Sequence, residues 1–287
     1  MLDLDSIAQK TGLIAEDKLS WNDNDIPLHK RGVSVSWLID FVHEVDRAWQ
    51  DVVKQHERDR KASLYFDAPW PDPLPFAPDL RMSAVFLVNY VIRPMTRVVG
   101  APLYVRVPEQ CRRKPDVFVS HAWSNPLACW GAFSTLYTLD SPLRSWEPRK
   151  FVWIDLACYN QHRVECVAED MRAVIASVGR VGIPMINSVP FSRLWCLWEL
   201  LCAHLADAKL EMYEANGSAY DLGFLADRFQ DEFRSVEHAA TTLPEDRERI
   251  LEAMISTFGS IAKADEHLRQ LVNSMLSKQS DKPWNKT

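Results

Sequence analysis

Between Asp116 and Tyr213, short β-rich apolar runs alternate with stretches of helical period, and few folds accept that order. Val117 to Ser120 (V-F-V-S), Phe151 to Ile154 (F-V-W-I), Val181 to Val189 and Leu210 to Tyr213 read as strands. Runs without polar alternation belong to strands covered on both faces, as in a parallel sheet. Ala128 to Leu139, Cys166 to Val178 and Ser192 to Leu205 read as the helices between them. In the second, Met171, Val174, Ile175 and Val178 fall at helical spacing. The expectation is an α/β fold built on a doubly wound, flavodoxin-like parallel sheet. Pro184 inside the third run suggests an edge, a bulge or a late strand start.

Such sheets bind ligands outside the carboxyl ends of their strands. That rule gathers Ser120, His121, Trp123, Asp155 and Asn160 on one rim. The segment S-R-L-W-C-L-W-E-L-L-C-A-H-L, Ser192 to Leu205, is apolar almost all the way round. Glu199 is its only acid. A carboxylate is costly to bury without a partner. Glu199 therefore either pairs with a cation such as Arg193 or lines a cleft where a carboxylate is wanted. Trp195 lies one helical turn before it and Ala203 one turn after, on the same face. An acid beside an indole wall and a small residue makes a candidate site.

The flanks are of a different character, which divides the chain into residues 1–114, 115–216 and 217–287. Trp37, Leu38, Phe41, Val42, Val45, Trp49 and Val52 mark an amphipathic helix from Ser34 to about His56. Asp67 to Asp79 holds five prolines, which forbid helix and suggest an extended strap. Met82 to Thr96 is apolar and fits helix or strand; Arg112, Arg113 and Lys114 resemble a solvated linker. Pro244 followed by Glu245 and Asp246 starts a helix. Its stripe is Ile250, Leu251, Met254, Ile255 and Phe258, and a second stripe runs from Leu268 to Leu276. Helical N- and C-terminal extensions are thus expected around the α/β part.

A net charge of −6 offers no basic field to nucleic acid or an anionic membrane. No apolar run approaches the roughly 20 residues that span a bilayer, and the first ten residues lack the pattern of a signal peptide. Six cysteines without a C-x-x-C motif fit reduced thiols in a cytoplasmic protein. Cys158, His162 and Cys166 recur at intervals of four, yet three ligands without a fourth do not make a zinc site, so no metal is expected. No G-x-G-x-x-G or P-loop pattern occurs, so no resident nucleotide cofactor is expected.

Taken together, V-F-V-S-H-A-W, F-V-W-I-D and S-R-L-W-C-L-W-E-L resemble the TIR domain family over roughly Pro115 to Ala215. The likeness is strongest in the last motif, which is similar to the S-x-W-C-x-x-E-L of plant TIR domains. By that resemblance Glu199 is the catalytic residue, with Trp195 and Cys196 at matching positions. Ser120 and His121 match the end of the first family strand, and Asp155 the end of the second. The resemblance implies cleavage of NAD at its nicotinamide–ribose bond, with NAD as substrate and no cofactor. It also implies self-association and a role in defence or stress signalling. Ser120, His121, Trp123, Asp155 and Trp195 would then bind the substrate. The plainer alternatives are that Ser120 and Asp155 cap turns, His121 is a hydrogen-bonded loop residue, and Cys196 is packing. A non-catalytic interaction module and a nucleotide-signal receptor are the competing functions.

Overall fold

Three-residue apolar strands cannot stand alone, and in the computed structural model they are laid side by side in one six-stranded sheet. The structure describes residues 2–22, 25–66, 83–123, 150–163, 168–185, 189–214, 227, 229–231, 233–241 and 244–280. The strands are β1 (Gly32–Ser34), β2 (Arg112–Arg113), β3 (Val117–Val119), β4 (Phe151–Trp153), β5 (Arg180–Met185) and β6 (Lys209–Glu214). Their order is β2-β1-β4-β3-β5-β6. Strands β4, β3, β5 and β6 run parallel. The fold is α/β as expected, but the sheet is mixed, which corrects the purely parallel expectation. β1 pairs antiparallel with both β4 and β2. Both added strands come from the first 114 residues, at positions where the sequence suggested none. The basic pair Arg112–Arg113 is not a linker but the edge strand, where charged side chains discourage pairing with another chain.

Pro184 is tolerated because β3 is short. Its last pairing with β5 is Val119 with Gly182, so Pro184 has no β3 ladder bond to lose. β5 ends at Met185, and Val189 belongs to a 3-10 turn (Val189–Ser192) rather than to the strand.

The helices are α1 (Leu4–Lys10), α2 (Val35–Phe66), α3 (Ala84–Leu87), α4 (Arg93–Met95), α5 (Asp155–Cys158), α6 (Ala168–Val178), α7 (Leu194–Leu205), α8 (Pro244–Phe258) and α9 (Ile261–Ser280). α2 runs ten residues past the expected end, through a charged stretch of good helix formers. The ambiguous apolar run is helical. A π-helical turn, Val88–Ile92, joins α3 to α4 just before Pro94, which has no N–H to give to a regular α-turn. Expected helix 128–139, the proline strap and the last seven residues lie outside the described residues. Among the described residues no helix is long and apolar enough to cross a membrane.

One core runs through these elements, from Ile7 to Val272. Phe118 and Trp153 stack at 4.9 Å between neighbouring strands. Buried indoles keep their N–H groups satisfied. Trp153 donates to the carbonyl of Leu28 at 3.0 Å, Trp37 to that of Thr11 at 2.9 Å, and Trp198 to that of Ala168 at 2.9 Å. The last bond fastens α7 to α6. α7 also packs against α8 and α9, which explains its apolar circumference.

At Gly32 the backbone of β2 and of Pro115 lies close against β1. A Cβ there would stand 2.5 Å from the Arg113 carbonyl oxygen and 2.7 Å from the Pro115 nitrogen. Both are backbone atoms that cannot swing aside. Gly32→Ala is expected to cost about 3 kcal/mol, the upper range of overpacking. A fall in the urea midpoint at unchanged slope checks it.

Candidate functional site

The parallel strands end at one rim, and the first polar residue beyond each of the two central ones starts the site. Ser120 follows β3, and its N–H extends the ladder by donating to the Gly182 carbonyl at 3.0 Å. This fixes the backbone, so the side chain has a set direction. Its hydroxyl donates to Glu199 Oε2 at 2.5 Å. Glu199 sits in the middle of α7 and is 8% exposed; Ser120 is 1% exposed. Ser120 is therefore behind Glu199 and off the cleft wall, as a support for the carboxyl.

Asp155 follows β4 and opens α5. Its Oδ1 accepts from the Leu156 N–H at 2.6 Å, but Asp155 is the first residue of the helix and the cap position before it is Ile154. Its Oδ2 accepts from the indole of Trp123 at 2.6 Å. His121 Nε2 lies 3.7 Å from Asp155 Oδ1. Trp195 is tied in the same way to a different acid: its indole donates to Asp246 Oδ2, on α8, at 3.0 Å. Two tryptophans and two carboxylates are thus locked in pairs.

These pairs border a cleft of about 110 Å³. Glu199, Asp155, Asp246, His121, Trp123 and Trp195 line it, together with Tyr159, Asn160, Gln161, Cys196 and three arginines, Arg93, Arg163 and Arg193. Five of the six residues singled out from sequence meet at this cleft, and the sixth, Ser120, holds the first of them. Ala203, expected to give room beside Glu199, is fully buried and absent from the lining.

Burial pushes the Glu199 carboxyl up to about 8; the Ser120 hydrogen bond opposes this and the nearby charge of Asp155 adds to it. No arginine is among the groups that set it. Glu199 is therefore mostly protonated at neutral pH. Burial also raises the Cys158 thiol to about 12 and pushes Cys196 and Cys202 up. None of these three is a ready thiolate, so cysteine nucleophilic chemistry finds no support in them. Among the described residues no group of three His, Cys, Asp or Glu side chains is placed to hold a metal ion. His162 instead shares a hydrogen bond with Thr96 Oγ1 at 2.8 Å.

Sequence reasoning missed Asp246, Arg93, Tyr159 and Gln161. Asp246 gave no local signal beyond that of an acid in a first helical turn. Arg93 did: it is the only charged residue from Ser83 to Thr96, the same anomaly that marks Glu199. Asp246→Ala is expected to destabilise by about 1 kcal/mol through the orphaned indole N–H, with Asp246→Asn recovering most of it. Urea titration of the two variants tests this.

Comparisons with protein-family models, with curated proteins and with solved structures returned no match.

Proposed function

We propose that this chain is a TIR-like enzyme that cleaves NAD between nicotinamide and ribose. One observation carries the reading: a carboxyl group, Glu199, lines a cleft walled by indoles and further acids at the carboxyl rim of parallel strands. The strand order β4-β3-β5-β6 also supports it. Taken by themselves these four follow the order 2-1-3-4, and the connections leave β3 and β5 in opposite directions. We read this as a doubly wound, flavodoxin-like unit with its switch point between β3 and β5. Ser120 and Glu199 belong to that point.

The acids of the cleft, Glu199, Asp155 and Asp246, and its two tryptophans suit a flat cation, while its three arginines, Arg93, Arg163 and Arg193, suit a phosphate. The nicotinamide ring of NAD is such a cation. When the C1′–N1 bond breaks, its electron pair goes to the ring nitrogen, and nicotinamide leaves neutral without a general acid. Positive charge develops on the ribose, where an ionised Glu199 stabilises it. Water then attacks C1′ and gives up a proton, forming ADP-ribose; an internal nucleophile gives a cyclic product instead. Glycosidases with poor leaving groups need a second carboxyl for protonation, and this reaction does not.

Self-association, a cytoplasmic setting and a part in defence or stress signalling complete the proposal by likeness to TIR domains. The second reading is a receptor that binds a nucleotide without cleaving it. It is favoured by the Glu199 carboxyl being held mostly neutral at pH 7, a form that does not steady an oxocarbenium ion. Nicotinamide release from NAD by the purified chain decides between them. A rise in melting temperature without product points to the receptor.

A further inference from the structure

Resting on the reading of the cleft as a nicotinamide-ring site, we propose that Arg93 forms an anion subsite at its exposed end. The cleft would then select a ligand with a cationic ring at one end and a phosphate at the other. Arg93 comes from α4, outside the part of the chain that resembles TIR domains, yet it lines the same cleft as Glu199.

Its guanidinium is oriented from two sides. Nε donates to the Gln161 carbonyl at 2.9 Å, and Nη1 donates to Asn89 Oδ1 at 3.1 Å. Both acceptors are neutral, so they aim the group without cancelling its charge. Among the described residues Arg93 has no carboxylate within ion-pair distance. The charge is felt nearby, since it helps hold His162 below the usual histidine range, after burial.

The tethers have structural causes. Asn89 sits in the π-helical turn Val88–Ile92, four residues before Arg93. Gln161 is buried, and its amide donates to the Asp155 carbonyl oxygen at 2.8 Å. The arginine is therefore referenced to the segment that carries Asp155, at the acidic wall. Remaining N–H groups of a held guanidinium suit phosphate oxygens, which it binds in a fixed fork. The phosphate that every nicotinamide nucleotide carries is repelled by Asp155 and Asp246 and needs a cation; of the three arginines lining the cleft, Arg93 is the one aimed by these two neutral acceptors.

The test compares nicotinamide mononucleotide with nicotinamide riboside, which share the cationic ring and differ by one phosphate. Binding of both to the full chain is measured by calorimetry. Wild type is expected to bind the mononucleotide at least about tenfold more tightly, the worth of one charge-assisted bond. Arg93→Gln is expected to erase that difference and leave riboside binding unchanged. Asn89→Ala, which loosens the guanidinium but keeps its charge, is expected to lose part of it. It also serves if Arg93→Gln fails to fold. Equal weakening of both ligands, or no change in the mononucleotide, overturns the subsite while leaving the ring site standing. Failure of wild type to bind either ligand removes the ring-site reading and this inference with it.

Discussion

Glu199→Gln is expected to abolish nicotinamide release and to stabilise the protein at the same time. The first effect follows from charge. In the proposed reaction Glu199 steadies the oxocarbenium ion, and its loss is expected to cost about 1,000-fold in rate. The second follows from burial. Glu199 titrates at about 8 in the fold, against an ordinary value near 4.5. Between those values the folded protein holds a proton that the unfolded chain has released. Stability therefore falls as pH rises from about 4.5 to 8, by on the order of 5 kcal/mol in total. Glutamine keeps the acceptor for Ser120 and carries no charge, so the variant escapes this loss. The stability gap between variant and wild type is expected to be small at pH 5 and widest at pH 9. Urea titrations at the two values measure it, beside an assay of release from NAD. Equal release by both proteins would remove Glu199 from the reaction. A gap that does not change with pH would show that the acid is not held in the neutral form.

The α/β core was legible because its strands are short, apolar and bounded by helical stretches. Their order in the sheet was not, since three-residue strands carry no pairing signal. β1 and β2 were invisible for a related reason. Gly32–Ser34 and Arg112–Arg113 have nothing strand-like in their composition and become strands only by pairing with each other and with β4. Tertiary contact decided them, not propensity.

The site was legible in proportion to how local its logic is. Glu199 stood out as a lone charge in an apolar helix, and Asp155 as the residue into which a strand runs. The strand-end rule brought Ser120, His121 and Trp123 to the same rim. It could not tell which side of Glu199 the serine occupies, because this depends on the register of β3 against β5. Nor could it find Asp246, which reaches Trp195 from a helix about 50 residues later in the chain. Arg93 was hidden by the opposite error. Its segment was left open between helix and strand, and no face could be assigned to it.

A cationic ligand entering this cleft is expected to expel a proton. Glu199 is protonated at neutral pH because burial and Asp155 disfavour its charge, against the help of Ser120. A positive ring beside it reverses the balance. Asp155 then repels a charge that the ligand compensates, and the Ser120 hydroxyl, already donating, strengthens its bond to an ionised partner. By linkage, affinity rises with pH until the free carboxyl is ionised. If only the ionised form binds, affinity for nicotinamide riboside climbs about tenfold per pH unit from 6 towards 8 and levels above it. Calorimetry at pH 7 in two buffers of different ionisation enthalpy is expected to show close to one proton released per ligand bound. Glu199→Gln is expected to release none and to bind with a flat pH profile. Asp155→Asn is expected to lower the pH at which affinity levels, since it takes away a charge that holds the proton on. The neutral product nicotinamide gives no such compensation, so its binding should show the opposite trend or none. In the proposed reaction that asymmetry would help turnover, because the acid ionised by the substrate would regain its proton as the neutral ring departs. A riboside affinity independent of pH, with no proton released, would leave the cleft without its electrostatic reason for choosing a cation.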